Sequence, residues 1–250
     1  MKFLQITLLL LSLTLLCCRA PWIATYNTHS TNKIHIADTA IYNPADSLLE
    51  PYRLSLTRIM ADTITYASGL FKKKVPAGSL GNLVTDAIWH YYQNHSIAID
   101  AVITNYGGLR LQEWPAGAIT LAKVYELLPF DNEVVLITIS KDLLRTWIKH
   151  ISNAKGWPIA GMNIQINPSD NTADSIKIEW LKGNVENVSQ DSVRIATIDY
   201  VANGGDRCDF LKGVPQLPSK QLVRDIVLEY LRTQKKIVPD SSIRFIIHHE

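Results

Sequence analysis

Asn105-Tyr106-Gly107-Gly108-Leu109-Arg110 closes one apolar run of this chain, and Tyr200-Val201-Ala202-Asn203-Gly204-Gly205-Asp206 closes another. The runs before them are Ala101-Val102-Ile103-Thr104 and Val193-Arg194-Ile195-Ala196-Thr197-Ile198. Their β-branched, apolar character reads as buried strand. Glycine at a strand end permits positive φ and lets a ligand come close to the main chain. One turn ends in a cation and the other in a carboxylate. Together they read as two halves of one polar pocket.

Outward from these turns, helical and strand periods alternate. Asp46 can cap a helix over 47–61, with Leu48, Leu49, Tyr52, Leu56 and Ile59 at helical spacing. A strand follows over 62–68. Lys72-Lys73-Lys74 reads as a solvated turn, and 76–79 as a loop. The amphipathic stretch 81–92 predicts a helix with Leu83, Ala87, Ile88 and Tyr91 inward. Strand is expected over 98–104. A helix over 120–128 stops at Pro129, which disfavours the α conformation in the residue before it. Strand 134–139, helix 141–152 and short strands at 163–166, 175–180 and 193–197 come next. A last helix over 219–233 and a closing strand over 243–247 complete the pattern. Helices interleave with short, often hairpin-like strands. The expected class is therefore α+β, with mixed β-sheets and packed helices.

The chain has 250 residues, 47% of them hydrophobic and 19% charged. That suits one globular domain, or at most two small ones. The net charge is +2. No basic stripe interleaved with aromatics occurs, which argues against nucleic-acid binding.

Residues 1–18 form a separate segment. Lys2 is a short positive start, and residues 8–16 are an apolar stretch too short to span a membrane, which takes ~20 residues. Cleavage after Ala20 would place Pro21 beside the cut. Leu15-Leu16-Cys17-Cys18 resembles a bacterial lipoprotein box, with Cys18 (or Cys17) as the lipid anchor. An exported, periplasmic or outer-membrane-associated lipoprotein is expected, with a soluble periplasmic form as the alternative. Residues 19–45 read as a polar tether, with an edge strand at Lys33-Ile34-His35-Ile36. Only Cys208 remains beyond that region. It reads as a half-buried small residue rather than a nucleophile.

The sequence speaks against most hydrolytic chemistries. The seven histidines form no His-x-x-x-His or Asp-x-His pair, so no metal site is expected in this chain. There is no Gly-x-Ser-x-Gly elbow and no phosphate-binding P-loop. A binding site is better supported. Asn105 offers a donor and an acceptor, and Arg110 a planar fork suited to phosphate, carboxylate or hydroxyls. Asp206 accepts hydrogen bonds, as from vicinal hydroxyls. Phe130, set on the turn after Pro129, is a stacking platform, and Tyr200 offers a second ring. Two rings and a polar triad suit a flat base carrying a sugar. The alternatives are a core phenylalanine and a surface arginine turn.

Taken in order, four stretches resemble the C-terminal domain of the 5'-nucleotidase family, which includes UDP-sugar hydrolases and cyclic phosphodiesterases. They are Gly81-Asn82-Leu83-Val84-Thr85-Asp86-Ala87, Thr104–Arg110, Leu127-Leu128-Pro129-Phe130-Asp131-Asn132 and Ile198–Asp206. The resemblance covers roughly residues 46–250. It implies a four-layer α/β/β/α arrangement. It also implies that Phe130 and Tyr200 sandwich a base, that Asp206 binds ribose hydroxyls, and that Asn105 and Arg110 face the sugar or phosphate. Gly107, Gly108, Gly204 and Gly205 support the two turns. Many members carry an arginine where this chain has Ser79, which implies weaker phosphate affinity. The family's metal-bearing phosphoesterase domain has no counterpart in the 45 or so residues ahead of the match. The resemblance therefore implies a nucleotide-recognition domain without cofactors of its own. Such a domain would act with a separate metallophosphatase, where the divalent metals are expected, in extracytoplasmic nucleotide dephosphorylation. The alternative is a non-catalytic lipoprotein that binds nucleosides or nucleotides for uptake or scaffolding.

Overall fold

Strand β10 (Ser192–Ile198) organises the fold because nearly every residue from Val193 to Ile198 is buried. A strand covered on both faces needs a continuous apolar run, and this sequence supplies one. A computed structural model describes residues 44–167, 175–181 and 191–248. The expected signal segment, Cys17 and Cys18, the edge strand expected at 33–36 and nearly all of the expected tether lie outside the described residues. The elements divide at Asp46/Ser47, and the sheets and the cleft belong to the unit from Ser47 onward.

β10 lies mid-sheet. It pairs parallel with β3 (Ala101–Ile103) and antiparallel with β6 (Glu133–Ser140). β11 (Gln216–Leu222) adds to β6, and β7 (Ile159–Ala160) to β3, giving the order β11-β6-β10-β3-β7. A three-stranded sheet joins β8 (Met162–Ile166) to antiparallel β9 (Ile176–Trp180) and parallel β12 (Phe245–Ile247). Two small ribbons pair β1 (Thr63–Ala67) with β5 (Gly117–Thr120), and β2 (Phe71–Lys72) with β4 (Glu113–Trp114). The helices are α1 (Pro44–Met60), α2 (Ser79–Asn94), α3 (Leu121–Leu127), α4 (Lys141–Asn153), the single turn α5 (Asp199–Ala202) and α6 (Val223–Thr233). The fold is α+β with mixed sheets.

Local chemistry explains the helix starts. Thr120 caps α3 through its hydroxyl to Lys123 N, and Ser140 caps α4 to Leu143 N. At the end of α3, Leu128 sits at φ −125°, outside the α region, as the following proline requires. In α2 the inward face carries Leu83, Ala87, Ile88 and Tyr92. The inward tyrosine is Tyr92 rather than the expected Tyr91, because Tyr91 packs instead against the His95 ring at the helix end. Each large residue fully buried on such a face is worth ~1.5–3 kcal/mol.

Two further expectations are corrected. The helix expected over 219–233 begins only at Val223, and residues 216–222 form strand β11. The exposed edge of β6 recruits Gln216, Leu217 and Pro218 in antiparallel register. Lys220 then takes φ 60°, which no helix admits, with its N–H donating to the Glu133 carboxylate at 2.5 Å. Pairing with a neighbour strand outweighs local helical period here. Cys208 is fully buried rather than half-buried, and burial, then Asp206 and Asp209, push its thiol up to about 12. Such a group remains a neutral thiol at physiological pH.

The Gly81–Ala87 stretch mainly builds scaffold, with Val84 reaching the apolar floor beside Asn105 and Phe130. A Cβ on Gly81 would lie 2.9 Å from Pro158 and 3.1 Å from the Tyr106 ring. Asn82 Nδ2 donates to the carbonyls of Asp240 and Ser242. Asp86 takes a bidentate pair from Arg244, whose Nη2 also reaches Asp240 at 2.7 Å. Ser79 is buried, and its hydroxyl accepts from Lys72 N at 2.8 Å.

α1 behaves differently from the other helices. Leu48, Leu49, Tyr52, Leu56 and Ile59 keep their helical spacing but remain exposed, Tyr52 at 75%. Leu54 is open as well. This apolar stripe is not used by the core.

Candidate functional site

Strand order decides where the two glycine turns meet. β3 and β10 run parallel, with Ala101 opposite Ile195 and Val102 opposite Ala196. Their C-terminal ends therefore share one edge of the sheet, and so do the turns that follow them. β6 runs antiparallel to β10 with Val134 opposite Ile198, which brings its N-terminal approach, Phe130–Asn132, to the same edge. Clefts at carboxyl ends of neighbouring strands are common ligand sites.

A cleft of about 360 Å³ opens there, lined by Asn105, Gly107, Gly108, Arg110, Phe130, Asn132, Tyr200 and Asp206. All five side chains singled out in the sequence meet on it. Gly107 and Gly108 line it too. Gly204 and Gly205 do not; they shape the turn behind it. Asn132 also lines the wall, although the sequence marked it only as part of a motif. Its signal was available, as a polar side chain two residues past the platform Phe130.

The two turns are tied by one carboxylate. Asn105 is buried, and its Nδ2 donates to Asp206 Oδ2 at 2.5 Å. Its Oδ1 accepts from Gly108 N at 3.4 Å, closing the 3₁₀ turn Tyr106–Gly108. The Tyr200 hydroxyl donates to Asp206 Oδ1 at 3.2 Å. An ionised carboxylate offers about four acceptor positions, so Asp206 keeps capacity for hydroxyl donors from a ligand. His150 Nε2 lies 2.9 Å from the Asp206 carbonyl and donates in the tautomer protonated there. His150 itself is wedged edge-on between Trp157 and Phe210.

Positive φ falls where the sequence did not place it. Of the four turn glycines only Gly204 takes it, at 91°. Asp206 and Arg207 take φ 51° and 63° although neither is glycine. Such residues cost about 1 kcal/mol or more each and persist where the surroundings over-determine them. Gly205 is needed for space: a Cβ there would lie 2.4 Å from the Tyr200 ring and 2.5 Å from its carbonyl oxygen. Tyr106, by contrast, is turned away and buried, donating to the carbonyls of Lys74 and Pro76. Burial pushes its phenol up to about 12.

The aromatic walls are half-exposed, Phe130 at 46% and Tyr200 at 48%. Their rings do not pack on each other. Arg110 lies over the Phe130 ring, 5.6 Å from its centre. The loop bearing Phe130 is pinned from below by the buried Arg224 at the start of α6. Arg224 Nη1 donates to the Leu128 carbonyl, Nη2 pairs with Asp131 at 2.6 Å, and the guanidinium covers Tyr125 at 4.2 Å. Sequence reasoning missed Arg224, because its partners lie more than ninety residues away.

Chemically, the cleft offers two flat apolar faces, a carboxylate, two amides and an exposed guanidinium. Among the described residues no three or more His, Cys, Asp or Glu side chains gather where they could hold a metal ion. The arrangement suits recognition of a flat ring with hydroxyls.

Comparison with known proteins agrees in fold. The 5'-nucleotidase precursor of Thermus thermophilus is similar at TM-score 0.67 and 22% identity, over 82% of this chain and 43% of that one. The NAD nucleotidase of Haemophilus influenzae is similar at TM-score 0.64 and 15% identity, over 82% and 42%. The sulfate thiohydrolase SoxB of Thermus thermophilus is similar at TM-score 0.54 and 14% identity, over 81% and 37%. This chain thus spans less than half the length of each. Among curated protein sequences none matches it. The profile of the 5'-nucleotidase C-terminal domain matches residues 62–213, more than half of the chain. On that match, the chain belongs to the family of 5'-nucleotidase C-terminal domains.

Proposed function

We propose that this chain recognises nucleosides and nucleotides for a separate metallophosphatase at an extracytoplasmic site. The base lies between Phe130 and Tyr200, the ribose hydroxyls on Asp206 and Asn105, and the 5' side toward Arg110. The observation that carries the reading is the meeting of these five residues on one 360 Å³ cleft, with both rings open to it. Stacking of this type accepts many bases, since every base has a π face. Metal-activated water would come from the partner. This chain would contribute positioning, worth several kcal/mol in well-oriented reactions.

The bare stripe of α1 supports a partner. Leu48, Tyr52, Leu56 and Ile59 form one apolar line directly ahead of the family-matched region. The similar nucleotidase chains carry more than half their length outside the matched part. A docked metallophosphatase would cover this line, as unpartnered apolar patches mark interaction surfaces.

Calorimetry with adenosine and AMP tests the recognition step. Micromolar binding is expected, with Phe130→Ala or Tyr200→Ala each weakening it by ~1–3 kcal/mol. Absence of heat with both ligands refutes it. Adding a metallophosphatase from the same organism tests the partnership. Its turnover of AMP should rise with this chain and fall back with a Leu48→Glu/Tyr52→Glu variant that still binds adenosine. An unchanged rate would refute the partnership and favour the alternative of a non-catalytic binding protein for uptake or scaffolding.

A further inference from the structure

Among the described residues that line the cleft, Asp206 alone takes a positive φ. A non-glycine residue keeps that conformation only where its neighbours over-determine it. Asn105 and Tyr200 hold the two oxygens of its carboxylate. Both of those residues line the cleft themselves, so a ligand that draws on Asp206 competes with them for the same oxygens. Neither contact fixes the main chain that gives the carboxylate its direction.

The main chain is held from the other side. His150 Nε2 lies 2.9 Å from the Asp206 carbonyl oxygen. A carbonyl accepts and cannot donate, so this bond requires the proton on Nε2. Among the described histidines, only His150 hydrogen-bonds a residue that lines the cleft. It does not line the cleft itself. It belongs to the last turn of α4, whose Leu144, Trp147, Ile148 and Ile151 are rooted in the core. Its ring is gripped by Trp157 at 6.1 Å and by Phe210 at 5.5 Å, the latter just past the turn that His150 holds. A side chain locked by packing in this way transmits the rigidity of its helix to the group it bonds.

We infer that His150 is a positioning residue: it fixes the left-handed turn so that the Asp206 carboxylate is already set for ribose hydroxyls before a ligand arrives. The inference rests on the nucleoside reading above, and it names a residue that touches no ligand. Its consequence is selective. Preorganisation lowers the ordering cost only for ligand groups that use the positioned atoms. A ribose with both hydroxyls draws on Asp206, and a 2',3'-dideoxyribose does not.

Calorimetry on the full chain with adenosine and 2',3'-dideoxyadenosine tests this. His150→Phe keeps a ring between Trp157 and Phe210 and removes the donor. It should weaken adenosine about five- to tenfold, the scale of one hydrogen bond, and leave dideoxyadenosine as in the wild type. Unchanged dideoxyadenosine binding also reports that the variant is folded. His150→Gln carries an amide N–H in place of Nε2–H and should recover most of the loss. Nitrogen NMR of the wild-type protein gives a readout that needs no variant, and His150 Nε2 should carry a proton. A bare Nε2, a His150→Phe variant with wild-type adenosine affinity, or one that loses both ligands equally overturns the positioning role while the nucleoside reading stands. Wild-type protein that binds neither ligand overturns both.

Discussion

The two glycine pairs look alike in sequence and do different work in the fold. Gly107 and Gly108 lie in a relaxed 3₁₀ turn that Asn105 closes from its own side. A Cβ on Gly108 would meet Asn105 Oδ1 only at 3.4 Å, an ordinary contact. Gly204 and Gly205 lead into a strained turn. There the left-handed residues are Gly204, Asp206 and Arg207, and the Asp206 carboxylate and carbonyl are held by Asn105, Tyr200 and His150. The first pair leaves backbone open to the cleft. The second allows Tyr200 to lie flat against its own turn and aim its hydroxyl at Asp206. A Gly-Gly dipeptide thus marks open or crowded backbone without saying which: the first pair faces a cleft, and the second makes room for a tyrosine ring.

Substitutions can separate these roles. Gly205→Ala should have the largest effect, because the new methyl meets a backbone carbonyl as well as a ring. It should lower stability by ~1–3 kcal/mol, as overpacking does, and weaken adenosine by at least about tenfold. Denaturant unfolding and calorimetry measure the two. A variant with wild-type affinity would break the distinction drawn between the turns. Asn105→Ala comes next. It removes the donor to Asp206 from a buried position, and charged hydrogen bonds of this kind are worth ~1.5–3 kcal/mol. Affinity should fall, and a crystal of the variant should show the two turns parted. Gly108→Ala should be the mildest, with stability within ~0.5 kcal/mol of wild type. Its affinity should drop all the same, since Gly108 lines the cleft and the methyl would project toward the ligand. A stable variant that binds normally would mean the ligand never nears this turn.

The contrast between α1 and α4 teaches a similar lesson. Both carry apolar residues at helical spacing. On α4, Leu144, Trp147, Ile148 and Ile151 are fully buried. On α1, Leu48, Tyr52 and Ile59 remain open. Periodicity reports that a face is apolar. It does not report whether this chain or another molecule covers that face.

Much of the candidate site was legible because its parts are local. Asn105, Arg110, Phe130, Tyr200 and Asp206 each stand in a short stretch whose chemistry stands out: a strand, a turn and one polar or aromatic residue. The mixed α+β class followed from the alternation of two hydrophobic periods. Residues whose meaning depends on distant partners escaped notice. Arg224 supports the Phe130 loop from the far end of the chain, and Lys73 is lifted out of an ordinary basic run by the Leu109 carbonyl.

The amino-acid order by itself determined which stretches bury themselves and which residues carry donor, acceptor, charge or ring, because these follow from side-chain chemistry and near-neighbour spacing. The tertiary structure alone decided that β3 and β10 run parallel with β6 antiparallel beside them. That pairing sets three loops from separate parts of the chain on one edge. Tertiary pairing also made 216–222 a strand, placed positive φ on Asp206 and Arg207 rather than on Gly205, and drew the Lys73 ammonium to the Leu109 carbonyl. The physical reason is the same throughout. Hydrogen bonding and packing between segments far apart in sequence contribute energies as large as local propensity, and no local pattern records them.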